Sequence, residues 1–287
     1  KLQHGDDIFI ILDEKSEDHV QTAETQKILE WIKKSYATAN DAVQKGNLRA
    51  ACSIYQRILQ IVPSEKRCLH HLGEIYQFAN KYDKAINYYY EGFKNHPEQA
   101  EFHSSLAECY FEKSKHDVSL KYAKSALSII ERTNPENLEL KSKMQVLIGK
   151  CLYQLGQRDI ATKIFMDMLE HNEEHVGALF EYGRILFDKG LIQNSLKIFL
   201  KLLVLQPEST TIQEFLTSIV TSQKEGIKMI NEELKSTPST APALAYLASV
   251  IKNHGAVKEA IILYEQALDL VQEHAGYCLA LVHTLEI

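Results

Sequence analysis

The stretch Cys68–Pro97 reads CLHHLGEIYQFANKYDKAINYYYEGFKNHP. Small or apolar residues fall at Leu69, Leu72, Gly73 and Tyr76, again at Ala85, Tyr89 and Gly92, and Pro97 closes the run. Each group has the three- and four-residue spacing of one helical face, and Lys81–Asp83 interrupts that spacing between them. The stretch therefore predicts two short amphipathic helices joined by a tight turn. Neither can bury its apolar stripe alone, so the unit must lean on copies of itself.

Copies recur at a spacing of 34 residues: Pro63 to Pro97, Gly73 to Ala107, Gly149 to Gly183, and Glu173 to Pro207. Leu72-Gly73-x-x-Tyr76, Ala85-x3-Tyr89 and Pro97 resemble the tetratricopeptide repeat family, whose pattern runs W-x2-L-G-x2-Y, then A-x3-F, then P. Leu69 stands where the family favours Trp. The resemblance implies an all-α fold, a right-handed α-solenoid of tandem helix-turn-helix repeats. Such an array escapes the size limit of a single core, because each repeat packs only on its neighbours.

Expected repeats lie at about 32–65, 66–99, 100–134, 142–175, 176–209, 210–238 and 241–274, with a truncated eighth from 275, inside a solenoid of 21–287. Terminal repeats deviate from the pattern. In the first, Ala39 and Ala42 replace the favoured Gly and Tyr, and Trp31 precedes it as a cap. Pro135 follows Pro97 by 38 residues rather than 34, so the Ile130–Leu140 stretch lengthens either a helix or a loop. The 210–238 unit is degenerate, with Gly226 in its Ala slot. Gly156 and Gly190 fall at the turn within a repeat, where a left-handed residue ends a helix.

Residues 1–20 form a separate acidic and aliphatic segment. Its run Asp6–Glu14 resembles short motifs that add a strand to ubiquitin-like modifiers; the other reading is a tail packed on its own solenoid. Residues 1–30 hold eight acidic against three basic residues, which accounts for nearly all of the net charge of −6. The repeat body is thus close to neutral and offers no basic face for nucleic acid. No run of 18 apolar residues suggests a membrane span. Five cysteines without a C-x-x-C pair, together with no signal peptide, point to a reducing setting, cytoplasmic or nuclear. Cys109 and Cys151 share one repeat slot and read as small buried packing. The chain opens on Lys, and we read it as a segment of something longer.

Catalytic and metal signatures are weak. His171-x-x-Glu174-His175 has a zinc-peptidase spacing, but its register places it in an inter-repeat turn instead of on one helical face. His70 and His71 point about 100° apart on a helix. With no Cys or carboxylate recognised beside them, they are assigned to peptide contact or solvent, and no metal or cofactor is expected. No catalytic constellation is assembled by spacing, so no enzyme activity is expected within this segment.

What remains is the outward face of each first helix, where solenoids form concave binding surfaces. That face should carry Arg67, His70, Glu74 and Gln77 in the second repeat, and Glu101, Ser104, Glu108 and Glu112 in the third. The fourth should show Lys143, Val146, Lys150 and Tyr153, and the fifth Phe180, Arg184, Phe187 and Asp188. An acidic block would then precede a basic one, with Phe180 and Phe187 as apolar anchors. Co-chaperones of the family grip a chaperone's C-terminal carboxylates with Lys, Asn and Arg. Asn40 fits one Asn slot, but Tyr36, His71, Glu101 and Ser105 fill the others, so that mode is not implied. The expected function is a protein-interaction scaffold that takes a peptide or partner segment in this groove. The alternatives are a substrate-recognition module for a catalytic domain elsewhere, or a self-associating structural array.

Overall fold

The computed structural model describes residues 23–222, 226–234 and 239–287; the 1–20 segment, with its Asp6–Glu14 run, lies outside the described residues. Every regular element among the described residues is an α-helix. The chain forms two compact units that meet at Gly156 and Gln157, a division inside the expected 142–175 repeat.

The first unit holds α1 (Ala23–Gln44), α2 (Leu48–Ile61), α3 (Lys66–Phe78), α4 (Tyr82–Asn95), α5 (Ala100–Glu112), α6 (His116–Thr133) and α7 (Leu138–Gln154). The second holds α8 (Arg158–His171), α9 (Val176–Asp188), α10 (Ile192–Leu205), α11 (Thr210–Ser222), α12 (Gly226–Leu234), α13 (Ala241–Asn253), α14 (Val257–Leu270) and α15 (Ala275–Leu285). In the first unit each helix packs beside the next, and in the second the same holds for α8 to α12 and for α13 to α15, giving the all-α solenoid arrangement.

The turn inside a pair repeats one piece of chemistry. Asn47, Lys81, Lys115, Leu191 and Ala256 each donate a backbone N–H to the carbonyl five residues back, at 2.8–3.2 Å. The residue before each donor is left-handed: Gly46, Asn80, Ser114, Gly190 and Gly255. This is the Schellman stop, which satisfies carbonyls that the helix end leaves open. Asn80 and Ser114 carry side chains in that region, and Ser114 lacks the amide that lets Asn tolerate it.

Pairs close through small residues. Tyr89 of α4 lies over Gly73 of α3, Phe102 of α5 over Gly92 of α4, and Phe199 of α10 over Gly183 of α9. The three rings are buried. Where Ser takes the Ala slot, its hydroxyl bonds the facing helix: Ser119 Oγ donates to the Ala107 carbonyl at 2.7 Å and Ser195 Oγ to that of Gly183 at 2.8 Å. Both serines are therefore buried without penalty. Cys151 Sγ in turn donates to Ser119 Oγ at 3.2 Å, and both Cys109 and Cys151 are fully buried.

The extra residues near Pro135 go into helix. α6 has 18 residues and α7 has 17, against 14 in α4 and 13 in α3. Trp31 lies inside α1, which begins before the expected first repeat; it is half-buried on the α1–α2 core beneath the Arg57 guanidinium. His171 ends α8 and His175 caps α9, its Nδ1 accepting from Ala178 N at 3.0 Å, so this pair spans a turn. The degenerate unit supplies α11 and the nine-residue α12. α12 docks on α10 through Ile230 and the buried Glu233, which accepts from Gln193 at 2.8 Å.

Candidate functional site

In the first unit α3, α5 and α7 present their outward faces around an open cavity of about 520 Å³. Spacing of three or four residues puts His70, Glu74 and Gln77 on one face of α3, and Glu101, Ser104 and Glu108 on one face of α5. All six line the cavity, and Lys143 of α7 closes it. Tyr89 of α4 also lines it.

Glu108 organises the inner end. It accepts from Lys143 Nζ at 2.6 Å, from Gln77 Nε2 at 3.3 Å and from Ser104 Oγ at 3.4 Å. Gln77 is itself held by Tyr89, whose hydroxyl donates to Gln77 Oε1 at 2.9 Å. Burial is the main reason the Tyr89 phenol is pushed far above its ordinary range, so it stays a donor at any physiological pH.

Glu74 organises the outer end. Its Oε2 lies 2.8 Å from His71 Nδ1 and 3.5 Å from His70 Nδ1. Partial burial alone would raise this carboxyl; hydrogen bonds from the two imidazoles outweigh it and hold the group well below the usual carboxylate range. The neighbouring cavity, about 240 Å³, is lined by Lys66, Arg67, His70, His71, Gln99, Glu101 and Phe102.

The structure thus brings together Arg67, His70, Glu74, Gln77, Glu101, Ser104, Glu108 and Lys143 around two adjoining hollows. Glu112 is exposed and Tyr153 half-buried, and neither lines them; Lys150 stands 4.6 Å from the Phe111 ring centre. Phe180, Arg184 and Phe187 belong to α9 in the second unit. There Phe215 of α11 packs against Phe180, Phe187 and Phe199 with centroids 6.0, 5.4 and 4.3 Å away, so the two expected anchors are half-buried in an aromatic cluster. Arg184 pairs with Glu181 at 2.7 Å on its own helix.

Two differences from the sequence reading have physical causes. Lys143 crosses from α7 to Glu108, so the expected basic block begins by neutralising the acidic one. A carboxylate does stand beside His70 and His71: Glu74, one helical turn on, falls between the two side-chain directions and meets both rings. Ser105 also lines the larger cavity, as do Phe78 and Leu140, which the periodicity did not single out. Phe78 is 81 % exposed, and its signal was an aromatic lying off the buried stripe of Leu69, Leu72 and Gly73.

No helix of the described residues is long and apolar enough to cross a membrane. A profile of the tetratricopeptide repeat family matches residues 70–136, the part of the chain that builds most of this site. Among curated proteins none matches the sequence. Among solved structures, a tetratricopeptide repeat protein from Parabacteroides merdae is 21 % identical with a TM-score of 0.56, over 91 % of this chain and 99 % of its own. PilW, described as a type IV pilus biogenesis factor, is 16 % identical with a TM-score of 0.53, over 87 % of this chain and 98 % of its own. Pseudomonas aeruginosa pilF is 13 % identical with a TM-score of 0.50, over 90 % of this chain and 99 % of its own. These likenesses concern the fold alone. Residues 70–136 thus carry the tetratricopeptide repeat signature, and the likenesses to solved structures extend an all-α helix-pair fold of that kind along the chain.

Proposed function

We propose that the first unit docks an extended segment of a partner protein across α3, α5 and α7, with a basic side chain of that segment in the larger cavity. Tetratricopeptide folds serve generally as protein-interaction scaffolds, and the cavity supplies the finer reading. The observation that carries it is the charge at that surface. Three carboxylates, Glu74, Glu101 and Glu108, line about 520 Å³ with one lysine, and that lysine is already engaged by Glu108. Phe78 offers an apolar platform at the same opening. A Lys or Arg beside an apolar residue meets both features. Rim charges steer and select more than they bind, so the apolar contact supplies most of the affinity. A reducing compartment, cytoplasm or nucleus, suits a chain whose five cysteines are all free thiols.

The test uses fluorescein-labelled octapeptides with Lys, Glu or Ser fixed at the centre of a mixed Leu/Ala/Ser background. The Lys set should bind the full chain best by anisotropy. Glu101→Gln with Glu108→Gln, or Phe78→Ser, should weaken it about fivefold or more without changing the helical signal. Preference for the Glu set, or indifference to all three changes, would remove this reading.

A further inference from the structure

Three donor atoms converge on one turn of α3. One imidazole nitrogen each from His70 and His71 and a Glu74 carboxylate oxygen all lie within 4.8 Å of one another, and Nδ1 is the nitrogen facing Glu74 in both rings. Two ligand atoms each about 2.0–2.1 Å from a tetrahedral zinc ion stand about 3.3 Å apart. The two distances to Glu74 Oε2, 2.8 and 3.5 Å, bracket that separation. The two imidazole nitrogens, within 4.8 Å of each other, would close to that separation by side-chain rotation.

The rings are held for the task from behind. His71 stacks on Tyr55 at 5.4 Å with planes 27° apart, while His70 lies against Tyr89 at 5.7 Å and Phe102 at 5.9 Å. Each aromatic partner comes from a different helix, α2, α4 and α5, so the imidazole positions are fixed by tertiary packing. The side chains of His70, His71 and Glu74 are 28, 36 and 51 % exposed, which leaves a path for an ion from solvent. Glu101, which shares both hollows with His70, adds negative charge, and Lys66 and Arg67 at the smaller hollow oppose it.

We propose that His70, His71 and Glu74 form a binding site for a divalent transition-metal ion of the zinc class. Two imidazoles and one carboxylate are the borderline donor set that zinc, cobalt(II) and nickel(II) accept, whereas calcium and magnesium ask for oxygen ligands. Without the ion, the Nδ1 atoms supply hydrogens to Glu74. With it, both imidazoles take the Nε2–H tautomer and all three groups offer lone pairs to the metal. Three protein ligands leave at least one coordination position, open toward the hollows and filled by water. The site stands whether or not a segment docks in the groove.

Proton and metal compete for the same nitrogen atoms, so affinity should fall on acidification. The experiment titrates Zn2+ into the chelator-treated full chain by calorimetry, and records the visible spectrum with Co2+ as a second probe. One equivalent should bind with micromolar affinity at pH 7.5 and at least tenfold more weakly at pH 5.5. The Co2+ complex should show the intense bands of a low-coordinate ion. Glu74→Gln and, separately, His71→Asn should each weaken Zn2+ at least tenfold and abolish those bands, with circular dichroism unchanged. His171→Asn with His175→Asn should leave both readouts as they were. No binding at 100 µM Zn2+, or binding that survives both Glu74→Gln and His71→Asn, would overturn the site; the second result would mean adventitious surface binding only.

Discussion

The ring of Tyr89 lies over Gly73, sixteen residues earlier in the chain, so that a Cβ on Gly73 would stand far inside van der Waals contact with the ring atoms Cε1, Cζ and Cδ1. Tyr89 is fully buried, and its hydroxyl is tied to Gln77. It has nowhere to retreat. Gly73→Ala should therefore force α3 and α4 apart, with an overpacking cost of about 1–3 kcal/mol. Gly183→Leu should do the same in the second unit, where a Cβ already stands 2.8 Å from Phe199 and 3.0 Å from Ile198. Denaturant unfolding followed by circular dichroism checks both. Wild-type stability in either variant would mean the helices are not in this register.

A gain should follow at the turn between α5 and α6. Ser114 has φ +57°, where its equivalents Gly46, Gly190 and Gly255 are glycine. Removing the Cβ relieves about 1–2 kcal/mol of left-handed strain, and the freer unfolded chain takes back about 0.4–1. Ser114→Gly should stabilise the protein by about 0.5–1 kcal/mol in the same unfolding assay. A loss of stability would show that the Ser114 side chain contributes something its geometry does not reveal.

Hydrogen exchange should find α11 and α12 the softest internal helices of the second unit. α12 is only nine residues long, below the length at which a helix holds on propensity. Its anchors are Ile230 and the Glu233 bond to Gln193, while α10 buries Leu196, Phe199, Leu200, Leu202 and Leu203. Amides over 211–222 and 226–233 should exchange faster than those over 179–203. Equal protection would mean that one cooperative core spans the degenerate unit.

Thiol chemistry should sort by burial. Desolvation pushes the Cys68 and Cys109 thiols up to about 12, whereas Cys278 is exposed. A disulfide reagent at pH 8 should label Cys278 first and leave Cys68 and Cys109 until the protein unfolds. The same shift gives a pH dependence. The unfolded thiols lose protons from about pH 8.5, while the folded ones keep theirs until about 12. The unfolded state therefore binds fewer protons in that window, and stability should fall as pH rises through it. Cys109→Ala should flatten that decline; an unchanged slope would assign it to other groups, such as Tyr55, whose phenol burial also pushes up to about 12.

Much of the fold was legible because its instructions are local. Leu69, Leu72 and Gly73 recur at helical spacing, and all three are buried on α3. Gly156 and Gly190 were expected to be left-handed from their position at a helix end, and both are. The stretch before Pro135 was ambiguous between helix and loop because its ERT segment suits either. It is helix: α6 runs on through the exposed Glu131, Arg132 and Thr133 beyond its last buried residues, Ile129 and Ile130.

The candidate site was legible only in part. Periodicity identified which residues of α3 and α5 share an outward face, and the cavity gathers them: His70, Glu74 and Gln77 with Glu101, Ser104 and Glu108. It could not say what a neighbouring helix brings to that face. Lys143 meets Glu108 across 35 positions of sequence, and Phe215 covers Phe180 and Phe187 from α11, which turned two expected anchors into packing. The amino-acid order by itself determined the helix pairs, their turns and the buried stripe, because those depend on hydrogen bonds and apolar spacing within a few residues. The convergence of His70, His71 and Glu74 was also local, one turn of α3, whereas only the tertiary structure decided which charges pair across helices and which aromatics remain open. Those outcomes depend on the rotation of one helix against the next, and no repeat encodes that rotation within itself.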